Sequence, residues 1–164
     1  MERNRGFTLI ELLIVVAIIG LLAAIAIPNL IQAIQRAKQK RAMAEVRGLA
    51  TACNSYSTDT NDYPHGNTSW QNTDVVIPIG ELAPFYIKEV PNPDPWGTKY
   101  QYACTDSYQD FAIRSLGKGG SDDGEDLTAV LAAAPAITAC FENDIVWANS
   151  GFTTWPEGKQ RRCQ

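Results

Sequence analysis

Histidine occurs once in this 164-residue chain and methionine twice, and no two cysteines stand in C-x-x-C spacing. His65 falls in the turn-forming stretch Asn61–Asn67 with no acid or nucleophile beside it, so histidine-based acid–base or nucleophilic catalysis has no candidate. The wide separation of Cys53, Cys104, Cys140 and Cys163 excludes the paired spacing of a zinc site or a dithiol redox motif. Basic charge is scarce past residue 47: residues 48–164 hold seven Lys or Arg against fifteen Asp or Glu, whereas residues 1–47 hold seven against three. So acidic a second part would repel phosphates, which argues against nucleic acid as a partner. Gly117-Lys118-Gly119-Gly120-Ser121 lacks phosphate-loop spacing, and the acidic residues that follow lack the spacing of the helix–loop–helix calcium motif. Asn67-Thr68-Ser69 matches a glycosylation acceptor, a tripeptide common by chance.

Polar side chains are also missing from one long stretch. Residues 7–27 read FTLIELLIVVAIIGLLAAIAI, with only Thr8 and Glu11 as polar members. That is membrane-span length, since ~20 helical residues cover the hydrocarbon core. A charged leader, Met1–Gly6, precedes it and fits a segment held at the cytoplasmic face. Arg36, Lys38, Lys40 and Arg41 follow the span and outnumber Arg3 and Arg5, so charge counting does not orient it. Anionic lipid headgroups are the natural partner of that basic run. A secretory signal peptide is the plain alternative, with Ala24-Ile25-Ala26 as a cleavage site. Against it stand Glu11 inside the apolar stretch, Pro28 just beyond it, and helical patterning that continues. Ala42, Val46, Leu49, Cys53 and Tyr56 recur at spacings of 4, 3, 4 and 3, one face of an amphipathic helix. A helix from Phe7 to Thr58 would run ~78 Å at about 1.5 Å per residue. Pro28 should kink or locally melt it.

Glu11 is the most informative residue of the span. A carboxylate near hydrocarbon is costly, so it is either protonated or paired with a cation. Cleavage before Phe7 would create an α-amino group four residues from Glu11, and a neighbouring copy shifted along a filament could present that amine to it. The plainer reading is a protonated Glu tolerated at the membrane edge.

In the second part, Asn61-Asp62-Tyr63-Pro64-His65-Gly66-Asn67 ends the long helix. Pro91, Pro93 and Pro95 fix an extended approach to Tyr100–Cys104, which alternates as a half-buried strand does; Asp106-Ser107 turns the chain into Phe111-Ala112-Ile113. Ile145 and Trp147 mark a third strand, and Phe152 with Trp155 a last short one. The expected fold class is α+β, a long N-terminal helix whose apolar face, residues 42–56, covers a small antiparallel sheet. The expected organisation is a leader 1–6, a membrane or filament-core helix 7–28, an amphipathic half 29–60 and a head 61–164. Trp70, Trp96, Trp147 and Trp155 read as packing residues. Four carboxylates crowd Asp122-Asp123-Gly124-Glu125-Asp126, which reads as a solvated acidic loop or a calcium loop completed by backbone carbonyls such as that of Leu116. Four cysteines admit three pairings. The working expectation joins Cys140 to Cys163, closing a C-terminal loop, and Cys53 to Cys104, tying the helix to the head; such bonds fit an oxidising compartment.

Gly6-Phe7-Thr8-Leu9-Ile10-Glu11, followed by LLIVVAIIGLLAAIAIPNL, resembles the processing signal and helix of type IV pilins and of the pseudopilins of type II secretion. The resemblance implies cleavage after Gly6 by a prepilin peptidase, methylation of the new amine on Phe7, neutralisation of that amine by Glu11 of an adjacent subunit, and a kink or melted stretch at Pro28. It implies a homopolymer with an inner-membrane assembly platform and minor pilins as partners, lipid around the helix before assembly, and no enzymatic activity. Inner-membrane residence followed by a periplasmic or cell-surface filament would be the location. Pro93–Tyr102, Phe111–Gly117 and Asp144–Trp147 look like the head of major pseudopilins, in which the loop after Ser-Leu-Gly binds calcium. Leu116, Asp122, Asp123, Asp126 and Asp144 would be the ligands. Gly119 departs from the Asp usual there, an Ala-rich stretch at 127–140 intervenes before Asp144, and the cysteines are extra, a feature of pilins whose C-terminal loop a disulfide closes. Pilus and pseudopilus both stay open on the sequence. A single-pass anchored binding module that never polymerises is the reading from another class, and Glu11 tells against it.

Overall fold

The computed structural model describes residues 7–73, 82–121 and 124–163. Helix α1 (Leu9–Thr60) is followed by β1 (Gln71–Asn72), β2 (Gln101–Cys104), β3 (Phe111–Ser115), α2 (Leu127–Ala132), β4 (Ala136–Cys140), β5 (Ile145–Ala148) and β6 (Gly151–Arg161). The chain divides into two units, residues 1–35 and 36–164.

The first unit holds the apolar part of α1. Every large apolar side chain from Phe7 to Ile34 is exposed, from 45 % at Val15 to 82 % at Leu9. Helix is retained through Pro28, so the local melting expected there is absent. Proline removes one backbone donor, and neighbouring groups continue the ladder; the Asn29 side-chain amide adds a bond to the Ile25 carbonyl at 3.1 Å.

In the second unit α1 buries Ala42, Val46, Leu49 and Cys53 completely and half-buries Tyr56, the face read from the spacing. These side chains meet Tyr100, Tyr102, Cys104, Phe111 and Ile113 from the near face of the sheet. The helix stops where Asn61 takes a positive φ of 67° and returns its N–H to the Ser57 carbonyl at 2.9 Å, a left-handed terminus that asparagine tolerates. Side-chain hydrogen bonds pin helix to head: the Tyr100 hydroxyl donates to Glu45, that of Tyr63 to Asn54 and that of Tyr86 to Asp59, and the Gln39 amide donates to Gln160.

The six strands lie in the order β1-β2-β3-β5-β6-β4. β2 and β3 form the expected antiparallel hairpin, Tyr102 opposite Ile113 and Cys104 opposite Phe111, and β5 pairs antiparallel with β3. The sheet is nevertheless mixed, because β4 runs parallel to β6. β6 is also longer than the short final strand expected, continuing through Lys159 and Gln160 to Arg161. Its polar residues stay extended because β4 pairs with them and Cys140 is bonded to Cys163.

The far face of the sheet is covered as well. Ala103, Ala112, Val146 and Ala148 pack against Leu127 and Val130 of α2, with Trp70 and Leu131 at the margin. Small strand residues let that short helix sit close. α2 starts at Asp126, whose carboxylate accepts the Ala129 N–H at 2.6 Å as an N-cap.

Candidate functional site

The expected functional residues fall in two places, the start of α1 and the loop between β3 and α2. At the first, Phe7 is 78 % exposed, while Gly6 lies outside the described residues. The Thr8 amide and hydroxyl both donate to Glu11 Oε2, at 2.9 and 2.8 Å, and the Glu11 amide donates back to the Thr8 hydroxyl at 3.3 Å. That reciprocal exchange is a capping box. The T-x-x-E spacing is its sequence signal, and it gives Glu11 a local role that the charge-pairing reading overlooked. Behind it lies a helix long and apolar enough to cross a membrane, with its most apolar window wholly unburied in the chain itself. Burial of one such side chain is worth roughly 1.5–3 kcal/mol, so a surface of this kind calls for lipid or other copies of the helix around it.

Only part of the expected loop site falls among the described residues. Asp122 and Asp123 lie outside the described residues. Asp126 is committed to capping α2. Asp144, 8 % exposed at its side chain, faces the Arg114 guanidinium, with Nη1 and Oδ2 3.6 Å apart. The Leu116 carbonyl accepts the Gly120 N–H at 3.1 Å. Among the described residues no group of three or more acidic, cysteine or histidine side chains is gathered for a metal ion. A calcium ion wants six to eight oxygens converging at about 2.3–2.6 Å, and the described donors, dispersed among a helix cap, a guanidinium and a turn, do not fit one.

The glycines of this loop are there for close approach. A Cβ on Gly117, whose φ is +58°, would run into the Asn143 carbonyl, and one on Gly119 would lie 2.6 Å from the Glu142 carbonyl. Lys118 and Gly119 donate their amides to the Phe141 and Glu142 carbonyls at 2.9 and 3.2 Å. Glu142 in turn accepts from Lys118 Nζ at 3.2 Å and from the Cys163 amide at 2.9 Å. Burial acts to raise the Glu142 pKa, but the Cys163 and Lys118 donors outweigh it and hold the carboxyl below its ordinary 4.5.

Of the two expected disulfides, Cys140–Cys163 is formed, with Cα atoms 5.5 Å apart. The Cys53–Cys104 bond is not: both are free thiols buried in the core between α1 and β2. Burial pushes the Cys53 thiol far above its usual range, so it behaves as a small apolar packing group.

Two further polar residues organise the head without having been singled out. Asp94, 3 % exposed, accepts the Trp96 and Thr98 amides and the Thr98 and Ser115 hydroxyls, tying the 94–98 turn to the end of β3. Arg114, 1 % exposed, is the lone basic residue of a buried strand, a signal visible in Phe111-Ala112-Ile113-Arg114. His65 is exposed and lies edge-on to Tyr108.

The family model for type II secretion system (T2SS), protein G, matches residues 29–133, and that for the prokaryotic N-terminal methylation motif matches residues 1–27. The chain is 34 % identical over 133 residues to type II secretion system core protein G of Aeromonas hydrophila, covering 74 % of this chain and 90 % of the relative. It is 33 % identical over 132 residues to that of Vibrio cholerae, 76 % and 88 % covered, and 35 % identical over 129 residues to that of Pectobacterium carotovorum subsp. carotovorum, 76 % and 82 % covered. The choice left open between pilus and pseudopilus thereby closes on the secretion side. With a methylatable N-terminus, an uncovered apolar helix and a helix-backed sheet in one chain, the protein belongs to the protein G family of type II secretion systems, the major pseudopilins.

Proposed function

We propose that this chain is cut after Gly6, methylated on Phe7, held in the inner membrane by residues 7–28 and then drawn into a periplasmic pseudopilus whose core is the stacked N-terminal helices. The observation that carries the reading is the run of large apolar side chains from Phe7 to Ile34, all exposed, behind a matched methylation motif. A lipid bilayer covers such a surface before assembly and neighbouring helices cover it afterwards. Prepilin peptidase, an inner-membrane assembly platform and minor pseudopilins are the partners this role requires. The work is structural: subunits add and leave under the drive of other proteins, and the chain itself carries no chemistry. A non-polymerising anchored module gains nothing from Glu11, whereas a filament uses one carboxylate per amine.

Within the filament, Glu11 receives the methylated amine of Phe7 from an adjacent subunit. It is already oriented at the first turn by Thr8, and loss of the Gly6–Phe7 bond frees the amine to compete for the same carboxylate. The test is the mass of the N-terminal peptide from chain co-expressed with a prepilin peptidase. A peptide beginning at methylated Phe7 is expected. One beginning at Met1, or at Ile27 after signal-peptide cleavage, overturns the proposal.

A further inference from the structure

The basic residues of the second unit are not spread evenly over it. Of the seven Lys or Arg past residue 47, three are Lys159, Arg161 and Arg162, whereas Glu157 is the last of the fifteen Asp or Glu. A second basic run, Arg36, Lys38, Lys40 and Arg41, stands where α1 enters the same unit. The fold brings the two runs together. Gln39 and Gln160, one within each run and 121 residues apart, are both buried, and the Gln39 side-chain amide donates to Gln160 Oε1 at 3.2 Å.

The end of β6 is held in that place from several sides. Gln160 Nε2 donates to the Thr138 carbonyl at 2.8 Å and to the Glu157 carbonyl at 2.9 Å. Arg161 stands opposite Cys140 and its carbonyl accepts the Phe141 N–H at 3.1 Å, while Cys140–Cys163 clamps the chain one residue past Arg162. Because Gln160 turns inward, strand alternation turns Lys159 and Arg161 outward. Both are exposed, as are Arg36, Lys40 and Arg162. Arg36 and Lys40 share a groove of about 230 Å3 with Glu157, Gly158 and Gln160. Three carboxylates border this basic collar, each with a partner: Glu157 accepts the Trp155 indole N–H at 3.2 Å, Glu45 meets Arg41 at 2.7 Å, and Glu142 meets Lys118 at 3.2 Å.

We propose that the collar docks the head on anionic phospholipid headgroups of the membrane that residues 7–28 cross, before the subunit enters a filament. The inference rests on the membrane-anchored reading above. Ile34 ends the exposed apolar run of α1, and Arg36 follows two residues later, the order in which hydrocarbon gives way to headgroups. Clustered Lys and Arg beside a span suit lipid phosphates, and the acidic remainder of the head is repelled by the same surface, so the collar alone is drawn to it. The acidic head of a second copy would answer the same charges, but the collar's place directly after a bilayer-length apolar run favours lipid.

The test uses the full chain reconstituted in phosphatidylcholine vesicles with a trace of spin-labelled phosphatidylglycerol or spin-labelled phosphatidylcholine, and reads the share of each label immobilised by protein. Flotation with the vesicles is checked first; a chain that does not float fails the membrane reading itself, and the collar with it. For a chain that floats, preference for phosphatidylglycerol is expected to be about fivefold, the scale of one Lys or Arg at an anionic surface, and to fall towards parity in about 1 M salt. Replacing Lys159, Arg161 and Arg162 together by Gln should remove at least half of the preference, as should Arg36→Gln with Lys40→Gln. A floating wild type without preference overturns the proposal, and needs no substitution. So does a tail variant that keeps the full preference, because the two runs then do not act as one surface. Loss of filaments in these variants with lipid preference unchanged would assign the collar to a second copy and overturn it equally.

Discussion

The first turn of α1 holds two demands on one carboxylate. Glu11 closes a capping box with Thr8, and in a filament it must also meet an amine. Glutamine separates these demands, since it can cap as glutamate does but carries no charge. Glu11→Gln is expected to insert and keep its helix content by circular dichroism yet lose filaments; filaments from Glu11→Gln would mean that capping, not charge, is what the position supplies. The sequence displayed the carboxylate plainly, because any charge in such an apolar run stands out. It displayed Thr8 just as plainly, but the capping spacing was masked by the membrane reading around it. Arg114 escaped for the opposite reason: one basic residue on an alternating strand looks solvent-facing until a second layer, α2, covers that face.

Among the elements, the lower half of α1 was legible residue by residue because a helix buries side chains at a fixed period, and Ala42, Val46, Leu49 and Cys53 kept it. The β2–β3 hairpin was legible because its turn is local. α2 and β4 were not. Residues 127–140 are rich in alanine, which fits helix and tolerates strand, and only Pro135 separates the two halves. The parallel pairing of β4 with β6 joins residues distant in sequence and leaves no local pattern. It lies in residues 136–161, past the end of the matched protein G stretch at 133.

That tail has two measurable consequences. Replacing Cys140 and Cys163 together by serine should cost about 3 kcal/mol of stability, on the scale for a closed loop of this size, in denaturant unfolding; an unchanged midpoint would mean that β4–β6 pairing alone holds the tail. Glu142 contributes through its lowered pKa. A carboxyl depressed in the folded state stabilises above its unfolded value of 4.5 and loses that contribution as pH falls through the folded one. The Tm difference between wild type and Glu142→Gln should therefore be full near neutrality and shrink as acidification carries the pH below 4.5 and through the lowered folded value. A difference that grows on acidification would reverse the sign and remove Glu142 from the clamp.

At the scale of the molecule, the acidic head and the basic, apolar stem answer to different surroundings. Among the described residues, nothing covers the large apolar side chains of residues 7–34. The head has a core on each face of its sheet, clamped by fixed cations and a disulfide. Such a division suits a subunit that leaves lipid for a filament without refolding its head. The central claim is that the stem's neighbours in the working state are other stems, joined through charge at Glu11. Electron microscopy of shear-released filaments from cells overexpressing the secretion machinery tests it most directly, comparing wild type with Glu11→Leu at equal membrane levels. Abundant filaments from wild type and none from Glu11→Leu are the expected result; equal filaments from both, or none from wild type, would contradict it.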